Sequence, residues 1–241
     1  MKWRIRHRDV TESTNKDALG GRPGDVFTAD MQTAGRGRLD HRWLSPPGEN
    51  LMMSAVADVS DVEPQEAATL PLVAGLSAAQ AVCGVFRESG EESIASKVKV
   101  KWPNDVLVDG RKICGILCER NGDCVIIGIG VNVNQKVFDP EIAGRATSVR
   151  RELGVRTEVS QVRDAVLDRL SVNIARWRAG GFASVLPELS LLDCLKGEHI
   201  TVRRTDDDTV PASGICGGIR SDGTLDVAGE AVSAGEAHIQ R

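Results

Sequence analysis

Two tandem Gly-Arg pairs, Gly35-Arg36 and Gly37-Arg38, are the residues of this chain best suited to chemistry. Glycine lets the backbone approach a ligand closely. Guanidinium is a planar fork that matches phosphate and carboxylate. The pairs sit in residues 32–54, a stretch with three glycines, three arginines, His41, Trp43 and the adjacent Pro46-Pro47, and with no helical or strand period. A loop of that length in a compact domain is usually functional or disordered. Gly-Arg repeats also occur in disordered tails that bind nucleic acid. This stretch instead runs straight into the core-like residues 50–56, which argues against a tail. The expectation is a loop that closes over an anionic, phosphate-bearing ligand.

Two further groups carry both a functional and an ordinary reading. Ser13-Thr14-Asn15 could present three polar side chains at a helix start to a polar ring, but position alone favours a helix N-cap. Lys112, followed by Gly115, could act on a ligand held against the backbone. On its own it reads as a strand-edge lysine.

The elements that must position these residues follow from periodicity. Residues 2–8 alternate, with Trp3 and Ile5 on one face, and predict a short half-buried strand. Strands are expected at 26–29 and 50–57, and a helix carries Leu72, Leu76, Ala79, Cys83 and Phe86 on one face. Residues 97–134 read as an antiparallel meander, with turns at Trp102-Pro103-Asn104-Asp105, Asp109-Gly110 and Asn121-Gly122-Asp123. Residues 135–159 look irregular. A second helix carries Val162, Val166, Leu170, Ile174 and Trp177 and stops at Gly180-Gly181. Residues 182–190 read as a linker. Short alternating runs from Leu195 onward, with turns at Asp206-Asp207-Asp208 and Ser221-Asp222-Gly223, predict a small all-β module that docks on the rest.

Composition narrows the class. The 241 residues fit one large domain, or one with a small companion, and a 41% hydrophobic content fills a core. Aromatics are 3%, so that core is aliphatic. A net charge of −4 disfavours general nucleic-acid binding, leaving a local basic patch for any anion. The six cysteines form no CxxC pair and have no histidine at metal-ligand spacing, so they read as reduced, mostly buried thiols and no metal site is expected. No signal peptide and no membrane-spanning run is apparent, which predicts a cytoplasmic protein without membrane contact.

Taken together, GRGRLDHRWLSPPGENL at 35–51, KWPNDVLVDGRKICGIL at 101–117 and GIGVNVN at 128–134 resemble the biotin–protein ligases, or biotin–[acetyl-CoA-carboxylase] ligases. The resemblance spans nearly the whole chain and reverses the ordinary readings of Ser13-Thr14-Asn15 and Lys112. It implies an α+β fold: a class II synthetase-like, mixed, largely antiparallel sheet backed by helices over residues 1–190, then a C-terminal SH3-like β barrel over 191–241. It implies that biotin and ATP, with Mg²⁺, form biotinyl-5′-AMP, and that biotin then passes to a lysine of a biotin carboxyl carrier domain.

By the same resemblance, Ser13, Thr14, Asn15, Gln32, Arg36, Gly37, Arg38, Lys112 and Gly115 would meet biotin. Arg36, Arg38, His41, Trp43, Lys101, Asn104, Asp105 and Asn132 would meet ATP. Lys112, Arg36 and Arg38 would be catalytic, bringing two anions together. Several family members have arginine where this chain has His41. A homodimer is implied. DNA binding is not expected, because the Ser13 motif begins too early for a helix-turn-helix to precede it. A lipoate–protein ligase is the alternative enzyme, and a module that merely binds biotin or an adenylate is the alternative without catalysis.

Overall fold

The computed structural model describes residues 2–38, 42–203 and 212–240. Strands β1 (Arg4–Thr11), β2 (Asp25–Gln32), β3 (Leu51–Asp58), β4 (Val98–Lys101), β5 (Asp105–Val108), β6 (Arg111–Asn121) and β7 (Cys124–Val131) form one sheet. Their order is β1-β2-β3-β7-β6-β5-β4. Only β1–β2 is parallel; every other neighbouring pair is antiparallel. The meander from β4 to β7 is the one its turns predict. Asp109 and Gly110 both take positive φ, 51° and 74°, as a two-residue hairpin turn with right-handed strand twist requires.

The helices are α1 (Thr14–Ala18), α2 (Pro64–Ala67), α3 (Leu70–Glu88), α4 (Glu92–Ala95), α5 (Val149–Leu153), α6 (Val159–Gly180) and α7 (Leu186–Leu192). Both predicted helical stripes are buried, and α3 and α6 pack on each other and on the sheet. Polar groups in this layer are paired: Trp177 Nε1 donates to Thr69 Oγ1 at 3.0 Å, and Asn173 Nδ2 to Ser77 Oγ at 2.9 Å. The opposite face of the sheet, over β3, β6 and β7, is left for the site.

Four local expectations fail, each for a physical reason. Ile5 is 43% exposed, because β1 is an edge strand; Arg4 and Arg6 lean on the buried Asp25, while Trp3 reaches α6 through Nε1 to Leu167 O. The supposed linker at 182–190 is a 3-10 turn followed by α7, with Phe182, Val185 and Leu189 buried. Pro187 lies in the first turn of α7, where a missing N–H costs nothing. The irregular 135–159 stretch contains α5, capped by Ser148 Oγ accepting from Arg151 N and closed by left-handed Gly154. Finally, the span Pro64–Glu88, which covers α2 and α3, is long and apolar enough to cross a membrane, but most of it is buried in the core.

After α7, strands β8 (His199–Arg203), β9 (Ala212–Ile219), β10 (Leu225–Val227), β11 (Glu230–Val232) and β12 (Glu236–Ile239) make a second sheet, order β11-β10-β9-β8-β12, all antiparallel. The expected Asp206-Asp207-Asp208 turn lies outside the described residues. Ile200, Val202, Leu225 and Val227 join the main core, so the hydrophobic interior runs through both sheets. Trp102, in the turn after β4, donates from Nε1 to Gly223 O at 3.1 Å and ties that turn to the second sheet.

Candidate active site

Register places the site. On the open face of the sheet, Ser54, Gly128 and Leu117 lie side by side in one row, and Met52, Gly130 and Gly115 in the next. Rows two residues apart along a strand are separated by about 7 Å. The glycines lower the floor of both rows. A Cβ on Gly130 would stand 2.6 Å from Trp43 Cε2, and one on Gly115 would stand 3.1 Å from Trp43 Cζ3 and 3.2 Å from Lys112 Nζ. The indole of Trp43 therefore lies across these two glycines, and its Nε1 is buried without a partner.

Lys112 reaches this row because of a bulge. Val106 pairs with Cys114, yet Leu107 pairs with Lys112, leaving Ile113 as an extra residue. Lys112 and Gly115, three apart, would otherwise face opposite ways; the extra residue flips the phase so that they share a face. The backbone of Lys112 is pinned by Lys112 N to Arg145 O at 2.8 Å and Thr147 N to Lys112 O at 2.9 Å. Its Nζ lies 2.7 Å from Asp105 Oδ1 and 5.9 Å from the Trp43 ring. The ion contact is close but lacks hydrogen-bond alignment, so Asp105 Oδ1 is buried with no hydrogen-bond partner.

The loop supplies the other cations, and they diverge. Arg38 Nη1 donates to Asn104 Oδ1 and to Gly235 O, each at 3.4 Å. Burial pushes the Arg38 pKa down, while Asp105 and Glu236 oppose that shift; the group remains a guanidinium. Asp105 thus faces both Lys112 and Arg38. Arg36 turns the other way, its Nη2 lying 3.0 and 3.3 Å from the two oxygens of Glu119. The loop is held to its own far end by Trp43 N to Gly35 O at 3.0 Å.

The Ser13-Thr14-Asn15 cluster is a cross-bonded nook in the Gly128 row. Ser13 occupies the N-cap of α1 but makes no side-chain cap, so the cap reading does not hold. Gln32 Oε1 accepts from Thr14 N at 2.7 Å and from Thr14 Oγ1 at 3.1 Å. Ser54 Oγ lies 2.8 Å from Thr14 Oγ1 and 2.5 Å from Asn15 Oδ1, and Asn15 Nδ2 donates to Glu119 Oε2 at 2.5 Å.

A cavity of about 150 Å³ joins these parts. Ser13, Thr14, Asn15, Gln32, Arg36, Gly37, Arg38, Trp43, Lys101, Asn104, Asp105, Lys112 and Gly115 all line it. Of the sequence candidates, His41 lies outside the described residues. Asn132 is not in the lining; it is buried two residues beyond Gly130, with Nδ2 donating to Thr147 O at 3.0 Å. Asn104 is also tied down, through Nδ2 to Ile116 O at 2.8 Å. Sequence reasoning missed Ser54, Glu119 and Glu236. Period two from Gly115 would have put Glu119 on the site face. Nothing local marks Glu236, which arrives from the second sheet.

The family profile described as Biotin/lipoate A/B protein ligase family matches residues 8–132, which hold both the polar nook and the Lys112 hairpin. The chain belongs to this family. A Bacillus subtilis bifunctional ligase/repressor BirA is 34% identical over 69% of this chain and 52% of its own length. The chain thus spans about half the length of that relative. A Paracoccus denitrificans biotin–[acetyl-CoA-carboxylase] ligase is 33% identical over 92% of each. Among solved structures, the Aquifex aeolicus biotin protein ligase in complex with biotin and ATP has a TM-score of 0.83 at 28% identity, covering 98% of both chains. The Leishmania major enzyme with biotinyl-5-AMP has a TM-score of 0.68 at 25% identity, again covering 98% of both.

Proposed function

We propose that this protein is a biotin–protein ligase that joins biotin to AMP and then to a lysine of a biotin carboxyl carrier domain. One observation carries the reading: along the cavity a hydrogen-bonding nook in the Gly128 row is followed by the glycines of the Gly130 row, beside which stand the cations Lys112 and Arg38. That order suits a ligand with a polar, uncharged head and a carboxylate at the end of an apolar arm. Thr14, Asn15, Gln32 and Ser54 offer donors and acceptors to a ureido ring, whose polar groups would be costly to bury unpaired. Gly115 and Gly130 would accept the arm once the Trp43 indole, which lies across them, moves aside.

The carboxylate then lies at Lys112 and Arg38, where it must meet the α-phosphate. Two anions repel, so Lys112 would leave Asp105 to bridge them and offset the charge that develops on phosphorus. The carboxylate oxygen forms the new bond to the α-phosphorus, the bond to the pyrophosphate oxygen breaks, and pyrophosphate departs. Arg38 and Lys101 would hold the phosphates, and Trp43 Nε1, unpartnered, is a donor for either substrate. The oxygens of Asp105 and Glu236 suit Mg²⁺, which would neutralise the pyrophosphate. Asn132 would contribute from the next row only after its amide leaves Thr147. Arg36, held by Glu119 here, would complete the flap that keeps water from the mixed anhydride.

The acceptor lysine then attacks the anhydride carbonyl, forming an amide and releasing AMP. A cytoplasmic homodimer belongs to the same reading. The test is ATP–pyrophosphate exchange with biotin or lipoate, followed by mass analysis of a carrier domain. Exchange with biotin and the biotinyl mass increment are expected. Exchange with lipoate alone would overturn the assignment in favour of lipoate transfer.

A further inference from the structure

Glu119 stands at the end of the site face of β6, two residues beyond Leu117, and is only partly exposed. Its carboxylate has two partners from different parts of the chain. Oε2 accepts from Asn15 Nδ2 at 2.5 Å, inside the nook, and Oε1 pairs with Arg36 Nη2 at 3.0 Å, in the flap. Asn15 is buried, and its Oδ1 is committed to Ser54, so its amide has one orientation. An isolated surface ion pair between Arg36 and Glu119 would matter little. A carboxylate that orients a buried binding amide while holding the flap is a different case.

We propose, resting on the ligase reading, that Glu119 is a positioning residue that couples the flap to the biotin head pocket. It fixes Asn15 Nδ2 and Oδ1 for the head group and anchors the loop through Arg36, so that head recognition and flap closure depend on each other. Its action is confined to the biotin end: Asp105, paired with Gly115, lies two rows further along, and Lys112 is paired with Asp105 rather than with Glu119.

The experiment is steady-state exchange kinetics, with release of biotinyl-5′-AMP followed separately, on the wild type, Glu119→Gln, Arg36→Ala and the double variant. Glutamine keeps the volume but removes the charge and puts an NH2 donor where one carboxylate oxygen stood, so that donor faces either Asn15 Nδ2 or Arg36 Nη2 and weakens at least one of the two contacts. Hydrogen bonds to charged groups are strong enough that the KM for biotin and the adenylate release rate should each rise on the order of tenfold. The KM for ATP should stay within about twofold of wild type, and the melting temperature should hold. In the double variant the two effects should be clearly less than multiplicative, because they share one contact. Wild-type biotin KM and adenylate release in Glu119→Gln, or multiplicative effects in the double variant, would overturn the inference alone. Equal changes in the biotin and ATP constants with a lowered melting temperature would reduce Glu119 to a structural role and also overturn it. A wild-type protein with no biotin-dependent exchange would sink the ligase reading, and this inference with it.

Discussion

Gly130→Ala tests the packing of the site most directly. The new Cβ would sit 2.6 Å from Trp43 Cε2 and 2.7 Å from Cζ2. Carbon atoms prefer 3.5–4.0 Å, so the indole must retreat by about 1 Å. The three nearest atoms all belong to Trp43, and the backbone does not resist the change, because Gly130 is not among the positive-φ glycines. Trp43 is half-buried on a loop, so it yields and carries the flap with it through Gly35. A displacement of about 1 Å of positioning groups costs up to about 10²-fold in rate. The expected result is a loss of roughly ten- to a hundredfold in kcat/KM for biotin-dependent pyrophosphate exchange, with a melting temperature close to wild type. Gly75→Ala is the control. Its Cβ would meet Val100 Cγ1 at an ordinary 3.6 Å, and alanine in a helix interior is favourable by about 1 kcal/mol, so activity should persist with a slightly higher melting temperature. Wild-type kinetics in Gly130→Ala would refute the placement of Trp43. Unfolding would refute it too, because the argument requires the indole to give way and spare the core the overpacking penalty of about 1–3 kcal/mol.

Lys112→Ala should abolish adenylate formation while leaving the fold intact, since the side chain is 37% exposed; exchange at the wild-type rate would remove Lys112 from the mechanism. Asp25 is held below the usual carboxylate range by the Arg22 N–H, aided by Arg4 and Arg6 and opposed by burial. Its contribution is present above the unfolded pKa of about 3.9 and is lost as pH falls through the lower folded value. Asp25→Asn should therefore lower the melting temperature at pH 7, with the gap closing as the pH is taken below about 4, and a gap independent of pH would contradict this. Trp102→Phe deletes the bond to Gly223 O, worth about 1 kcal/mol, and should lower the melting temperature by about 2–4 °C. No shift by calorimetry would show that this bond does not help dock the second sheet.

Much of the framework was legible because it is local. The meander from Val98 to Val131 followed from alternation and from two turns whose residues accept positive φ. The stripes on α3 and α6 followed from helical period, and burial agrees. The readings that failed rested on composition where tertiary packing decided: Ile5 in an uncovered edge strand, and residues 182–190 in a helix that the core buries.

The sequence by itself determined which residue types meet. It supplied two arginines on a glycine-bearing loop, a lysine in a hairpin and a polar triplet at a helix start, because each motif is a short run of neighbours. Tertiary structure alone decided how they face one another. A single extra residue at Ile113 turns Lys112 onto the same face as Gly115. Strand register brings Glu119 to Asn15 across 104 positions and to Arg36 across 83. The second sheet adds Glu236 and the carbonyl of Gly235 beside Arg38. Phase, register and docking are set by the summed packing of the whole core, and no local window of residues contains that sum.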